Sequence, residues 1–224
     1  MNRSFSEKET PLPQKKTTAA KEGRLRERLA AYFLSLSAGA PDNLSGHAKD
    51  VYRRMARRLA ALELASVLQS AGMERPLQYG DAAALLRSIA DAASWRCAQQ
   101  GIPITTAVPD TEALLAFEPR LTALSVSQLF RDAAARKEGI AFQLVVQKNS
   151  LQVMVASGNG FHTAPTRRLI RETARLHRGA ALFTEEKAAF SLKKGGRQSL
   201  SVFSPPSAEE FIQNPLSCVN LSLF

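Results

Sequence analysis

Residues 118–160, EPRLTALSVSQLFRDAAARKEGIAFQLVVQKNSLQVMVASGNG, contain the change of period that decides the fold. Pro119 suits the first turn of a helix, where a missing N–H is harmless, and Leu121, Leu124, Leu129 and Phe130 then recur at helical spacing. After Gly139 the period becomes two. Ile140–Val146 and Leu151–Val155 flank Lys148–Asn149–Ser150, which predicts a β-hairpin. Ser157–Gly158–Asn159–Gly160 has the composition of a tight turn between a strand and the next helix.

Toward the C-terminus, Thr166–Leu176 reads as a helix, Ala181–Phe183 and Ala188–Leu192 as a second hairpin, and Ser199–Phe203 as an edge strand. Pro205–Pro206 open a tail, residues 205–224, that has no clear pattern. Toward the N-terminus, Leu114–Phe117 and Ile102–Ala107 are short strands, and Asp81 caps a helix to about Gln100 with Leu86, Ile89 and Ala93 inward. Before it, Tyr52, Met55, Leu59 and Leu62 mark a long helix that stops at Gly72, and Leu25, Leu29, Tyr32 and Leu36 mark another from Arg24. The breaker Ser37–Ala38–Gly39–Ala40–Pro41–Asp42–Asn43 joins these two into an antiparallel hairpin, whose uncovered seams predict a homodimeric four-helix bundle. The expected class is therefore α+β: a helical hairpin (21–75) followed by a two-layer α/β sandwich (76–204). Residues 1–20 are polar and basic and read as a flexible tail. Trp95 and Phe117 read as core, and Cys97 as a buried thiol.

Composition sets outer bounds. The 224 residues are 45% hydrophobic, enough for a core, and carry 30 Lys and Arg against 20 Asp and Glu, a net charge of +10. That excess favours anionic partners without choosing one. Two distant cysteines, Cys97 and Cys218, make neither a metal spacing nor a disulfide framework. No apolar run reaches the roughly 18 residues of a membrane span, and the N-terminus lacks a secretory signal's apolar stretch. The expected compartment is the cytoplasm.

The order hairpin, helix, two strands, helix, hairpin, helix, hairpin resembles a sensor histidine kinase core: a dimerisation and phosphotransfer hairpin joined to the ATPase domain shared with gyrase and MutL. Short local matches run from Arg24 to Lys194. Residues 55–72 resemble the second hairpin helix; Glu118–Pro119–Arg120–Leu121 resembles the Asp-Pro-x-Arg-Leu that opens the nucleotide-site helix. Gln128–Leu129–Phe130–Arg131–Asp132–Ala133 stands where the family has Asn-Leu-x-x-Asn-Ala, and residues 155–160 where it has Val-x-Asp-x-Gly-x-Gly. Arg175–Leu176–His177–Arg178–Gly179 resembles the Glu-Leu-His-Gly-Gly that closes the last helix.

Set against that resemblance, three chemical requirements fail. Gly23 falls on the phosphoacceptor histidine, and Arg24 on the carboxylate beside it, so no imidazole nucleophile is present there. His47 is the one histidine in the hairpin, read chiefly as an exposed surface residue and alternatively as a phosphoacceptor. Ala156, or Ser157 one residue on, falls on the adenine-binding carboxylate and cannot replace it. The long glycine-ended lid is reduced to Phe161–His162–Thr163–Ala164–Pro165. What remains of a nucleotide site is Gln128, Asp132 as an oxygen ligand for Mg²⁺, and Gly158 and Gly160, which also suit a plain turn.

Positive charge gathers twice. Arg167, Arg171 and Arg175 form a stripe on the last helix, either an anion site or a solvated face. Arg53, Arg54, Arg57 and Arg58 line the second hairpin helix, where the resemblance implies response-regulator docking; a solvated face is the plainer reading. No nucleic-acid motif or aromatic-basic interleaving supports nucleic-acid binding. The expected function is a degenerate histidine-kinase-like protein of two-component signalling, a homodimer that binds a response regulator or partner kinase and needs no cofactor. The alternatives are a divergent kinase that still takes Mg-ATP, and a phosphotransfer protein using His47.

Overall fold

The structure, a computed structural model, describes residues 46–72, 75–158, 160–193, 201–214 and 217–223. Its elements run α1 (Gly46–Gln69), β1 (Gln78–Asp81), α2 (Ala82–Ala98), β2 (Ile104–Ala107), β3 (Leu114–Phe117), α3 (Pro119–Ala134), β4 (Ile140–Val146), β5 (Ser150–Ala156), α4 (Ala164–Leu176), β6 (Ala181–Phe183), β7 (Lys187–Lys193), α5 (Ala208–Gln213) and α6 (Cys218–Leu223).

Alternation in the sequence becomes alternation of burial in the sheet. Phe142 and Leu144 of β4, Val153 and Val155 of β5, and Ala188 and Phe190 of β7 all turn to one buried face. The strands lie in the order β2-β4-β5-β7-β6, with β2 parallel to β4 and the other pairs antiparallel. Cross-strand partners such as Phe142↔Val155 and Val153↔Phe190 hold the register, since a one-residue slip would turn the apolar set outward. Leu86 and Ile89 of α2, Leu129 and Phe130 of α3, and Ile170 of α4 close over that face. Each fully buried leucine or phenylalanine contributes about 1.5–3 kcal/mol, so this layer fixes the two-layer α+β sandwich.

Helix starts follow from capping. Asp81 accepts from Ala83 N and Ala84 N, and its Oδ1 also takes Ala113 N at 2.9 Å, tying α2 to β3. Glu118 caps α3 by accepting from Leu121 N, with Pro119 in the first turn. The last sheet-covering helix starts at Ala164, two residues earlier than the apolar pattern indicates, because Thr163 is its N-cap and Pro165 occupies its first turn.

Three elements depart from expectation. Trp95 is 36% exposed rather than core, with the Arg96 guanidinium 4.6 Å from its ring centroid. Gln78–Asp81 forms a strand that pairs with β3 in a separate two-stranded sheet. The expected edge strand at 199–203 does not join the main sheet: only Val202 bridges, to Tyr79, while residues 199–200 lie outside the described ones. The tail then folds on the helical layer, with α5 on α2, and α6 against α1, α2 and α3.

Fully buried Asn220 organises that tail. Its Nδ2 donates to the carbonyls of Phe211, Ile212 and Asn214, and its Oδ1 accepts from Arg96 Nε at 2.7 Å. Ser217 Oγ donates to Phe211 O, and a Ser207–Glu210 capping box starts α5. In α1, Tyr52, Met55 and Leu59 are already buried within the single chain; Leu64 and Val67 pack on Leu121, Leu124 and Leu169. The first hairpin helix, including Gly23 and Arg24, lies outside the described residues.

Candidate functional site

Gln128 and Asp132 lie one turn apart and buried on α3, and Asp132 faces the loop that leads from β5 into α4. Asp132 is nearly sealed: its Oδ2 accepts the backbone N–H of Thr163 at 2.8 Å and the Thr163 hydroxyl at 2.9 Å. Its Oδ1 accepts Nε and Nη2 of Arg131 at 3.2 and 2.9 Å. Thr163 Oγ1 also lies 3.0 Å from Thr166 Oγ1, so α3 and the start of α4 are stitched together through this carboxylate.

The turn carrying Gly158 and Gly160 is bonded on both sides. Ser157 N donates to Glu186 O and Gly160 N to Glu185 O, while Arg136 Nη2 donates to Gly160 O at 2.7 Å. Gly160 needs its glycine, since its φ is +62°. The approach to Gly158 is taken by a side chain: a Cβ built there would collide with the Glu138 carboxylate. His162 Nε2 lies 2.7 Å from Thr184 O, which accepts its proton, and the ring sits edge-on between Phe161 and Phe183. Ser157, Gly160, His162 and Thr163 are thus pinned to α3 and to the β6–β7 turn, with the Glu138 carboxylate against Gly158.

The arginine stripe of α4 is partly engaged. Arg175 makes a fork to Glu172 at 2.9 and 2.8 Å, and Glu172 also accepts Gly72 N, tying α4 to the end of α1. That fork holds the Glu172 carboxyl below its usual range and raises Arg175. Arg171 lies 5.3 Å from the Phe183 ring centroid, and Arg167 is half-buried. Arg53, Arg54, Arg57 and Arg58 are all exposed on α1, with Arg53 4.0 Å from Asp50. His47 is exposed in the first turn of α1.

A cavity of about 650 Å³ brings Arg57 of α1 together with Arg131, Asp132 and Lys137 at the end of α3. The family resemblance assigned Arg57 and Asp132 to two separate sites. It also missed Thr163, Arg131, Arg136 and Glu138, which decide what Asp132 and the glycines touch. For Thr163 a signal existed, a threonine two residues before a proline at a helix start; the others meet only through tertiary packing.

A second polar junction joins α4 to α3. His177 Nδ1 lies 2.6 Å from Thr173 O, and its Nε2 accepts the Glu118 backbone N–H at 2.9 Å, which fixes the neutral Nδ1–H tautomer. Burial lowers the His177 pKa and raises that of Glu118.

No family model and no curated protein matches this chain by sequence. Solved structures do match by shape. Full-length ShkA in complex with AMPPNP aligns at TM-score 0.51 and 15% identity, over 83% of this chain and 47% of that one. The chain thus spans about half the length of ShkA. The Acinetobacter baumannii histidine kinase AdeS aligns at 0.46 and 12%, over 77% and 96%, and the cytoplasmic segment of histidine kinase QseC at 0.47 and 13%, over 67% and 98%. With the mixed five-stranded sheet under its helices, the ShkA alignment shows that this chain has the fold of a sensor histidine kinase core.

Proposed function

We propose that this chain is a non-catalytic histidine-kinase-like protein of two-component signalling that acts by binding a protein partner. One observation carries the reading: the Asp132 carboxylate, which the resemblance makes the remaining oxygen ligand for Mg²⁺, is occupied by Thr163 and Arg131, with only 3% of its side chain exposed. The residues present do not fit Mg-ATP. The Glu138 carboxylate lies against Gly158, and Gly160 N is already given to the Glu185 carbonyl, which disfavours a triphosphate where backbone amides would have to hold it. Ala156 offers no carboxylate to an adenine amino group.

The exposed arginine pairs Arg53–Arg54 and Arg57–Arg58 supply the surface for an acidic partner, a response-regulator receiver domain or a partner kinase. Homodimerisation through the hairpin belongs to this proposal as well: Tyr52, Met55 and Leu59 of α1 are buried within one chain, while the first hairpin helix with Leu25, Leu29, Tyr32 and Leu36 lies outside the described residues.

Two assays on the full chain test the proposal. Incubation with γ-labelled Mg-ATP is expected to leave no acid-labile phosphate on the protein; label lost in His47→Ala would overturn the non-catalytic reading. Binding of a purified receiver domain is expected to weaken at least about tenfold when Arg53, Arg54, Arg57 and Arg58 become alanine, and to fall with added salt. Unchanged binding would place the partner elsewhere.

A further inference from the structure

The cavity of about 650 Å³ between α1 and the end of α3 is separate from the β5–α4 turn: neither Gln128, Gly158 nor Gly160 lines it. It reaches instead to the ends of α2 and α6. Its wall is apolar there, with Ala60 of α1, Ile102 after α2 and Leu223 of α6 all buried. Its charged groups are Arg57, Arg131, Lys137 and Asp132, three cations to one carboxylate.

The acceptors around this cavity are spent. Asp132 gives Oδ2 to Thr163 and Oδ1 to Arg131. At the end of α3 the carbonyls of Arg131, Ala133 and Ala134 accept the N–H groups of Ala135, Arg136 and Lys137, and Leu223 O accepts Gln100 Nε2. The donors are not spent: the side chains of Arg57 and Lys137 have no hydrogen bond or ion pair to any described residue. Lys137 also holds a φ of +57°, which glycine adopts freely and other residues adopt at a cost. A charged side chain thus stands beside the cavity against its backbone preference.

From this arrangement we infer that the cavity is a binding site for a small organic dianion, its charge on Arg57, Arg131 and Lys137 and its short aliphatic body against Ala60 and Ile102. Three cations and one carboxylate leave a local excess of two positive charges, which a dianion matches. Charges of one sign beside a low-dielectric wall concentrate their field in the cleft. With the acceptors taken, the lining offers a ligand donors alone, which favours an anion over a cation or a neutral molecule. Arg57 also belongs to the arginine face proposed for an acidic partner; the assay below contains no partner protein, so either proposal can fail without the other.

The test titrates the full chain with succinate, propyl phosphate and the monoanion butyrate at about pH 8 and constant ionic strength, followed by amide chemical shifts. At least one dianion is expected to bind about tenfold or more tighter than butyrate, and the tighter of the two tells a carboxylate from a phosphate head group. Shifts should centre on Ala60, Ile102 and Ala135. Lys137→Gly relieves the left-handed backbone, so it should not lower Tm, yet should weaken dianion binding about threefold or more. Adding Arg57→Gln is expected to erase the preference over butyrate. Lys148→Gln removes an equal charge from the exposed β4–β5 turn and should change binding less than about twofold. Equal binding of the three anions, no saturable binding at about 10 mM, shifts centred elsewhere, or an equal loss in Lys148→Gln would each overturn the inference, the last by tracing the effect to the overall charge of +10.

Discussion

Replacing Asp132 with alanine separates a structural carboxylate from a metal ligand. The side chain holds two short hydrogen bonds from Thr163, at 2.8 and 2.9 Å, in a site where only 3% of it meets water. Bonds to a charged acceptor contribute about 1.5–3 kcal/mol each, and removal leaves the Thr163 N–H facing the emptied pocket. The Arg131 contact adds little, because that guanidinium is partly solvated. Asp132→Ala is therefore expected to cost about 3–4 kcal/mol, on the order of 10 °C in Tm for a chain of this size. Asp132→Asn keeps one oxygen for the Thr163 N–H and should cost about 1–2 kcal/mol. Urea unfolding of the three proteins, without nucleotide or metal, reads both values. A residual metal ligand makes the opposite prediction: a carboxylate held open for a cation contributes little to the metal-free fold, which would be indifferent to the change. A cost below about 1 kcal/mol for Asp132→Ala would refute the reasoning.

Other outcomes follow from the same contacts. Gly158→Ala should cost less than about 1 kcal/mol, because the group in the way is the flexible Glu138 side chain; Gly179→Ala should cost at least about 2 kcal/mol, because its Cβ meets the Ser191 carbonyl. Thermal unfolding of both checks the contrast, and equal losses would contradict it. His177 is held neutral with a lowered pKa, so its contribution is present above its ordinary value of 6.5 and is lost as pH falls below that toward the folded-state value. Unfolding free energies at pH 7.5 and 5.5 should diverge more for the unmodified protein than for His177→Gln, while Glu118, whose pKa is raised, contributes the opposite slope in both; identical slopes would show that His177 is not linked. Asn220→Leu removes four hydrogen bonds from a buried hub and is expected to cost about 3–5 kcal/mol in urea unfolding, against a value under 1 if the tail is only loosely attached.

Much of the fold was legible because burial follows local period. Leu129 and Phe130 join the alternating residues of β4 and β5 in one core, and Leu121 and Leu124 join α1 and α4 in another, so each residue's neighbours in sequence announce its environment. Trp95 misled for the same reason: a large aromatic at helical spacing reads as core, yet it lies at the surface with Arg96 stacked on it. The strand Gln78–Asp81 escaped notice because only Tyr79 among its four residues favours a strand; pairing with Leu114–Phe117 makes it. The tail was unreadable because a buried asparagine organises it, and nothing local distinguishes Asn220 from a solvated one. In the site, Gln128, Asp132 and the two glycines were found through the family resemblance, but their chemistry was not, since Thr163, Glu138 and Glu185 reach them only through the fold.

Thermal unfolding with and without millimolar Mg-ATP, with Mg-ADP and Mg-GTP alongside, tests the non-catalytic reading most directly. A ligand at about 100 times its Kd stabilises a folded protein by roughly 2.7 kcal/mol, a shift of several degrees here. With Asp132 bonded to Thr163 and Glu138 against Gly158, no nucleotide should move the Tm. An adenine-selective rise, lost in Asp132→Asn, would contradict the account and return this chain to the nucleotide-binding members of its fold.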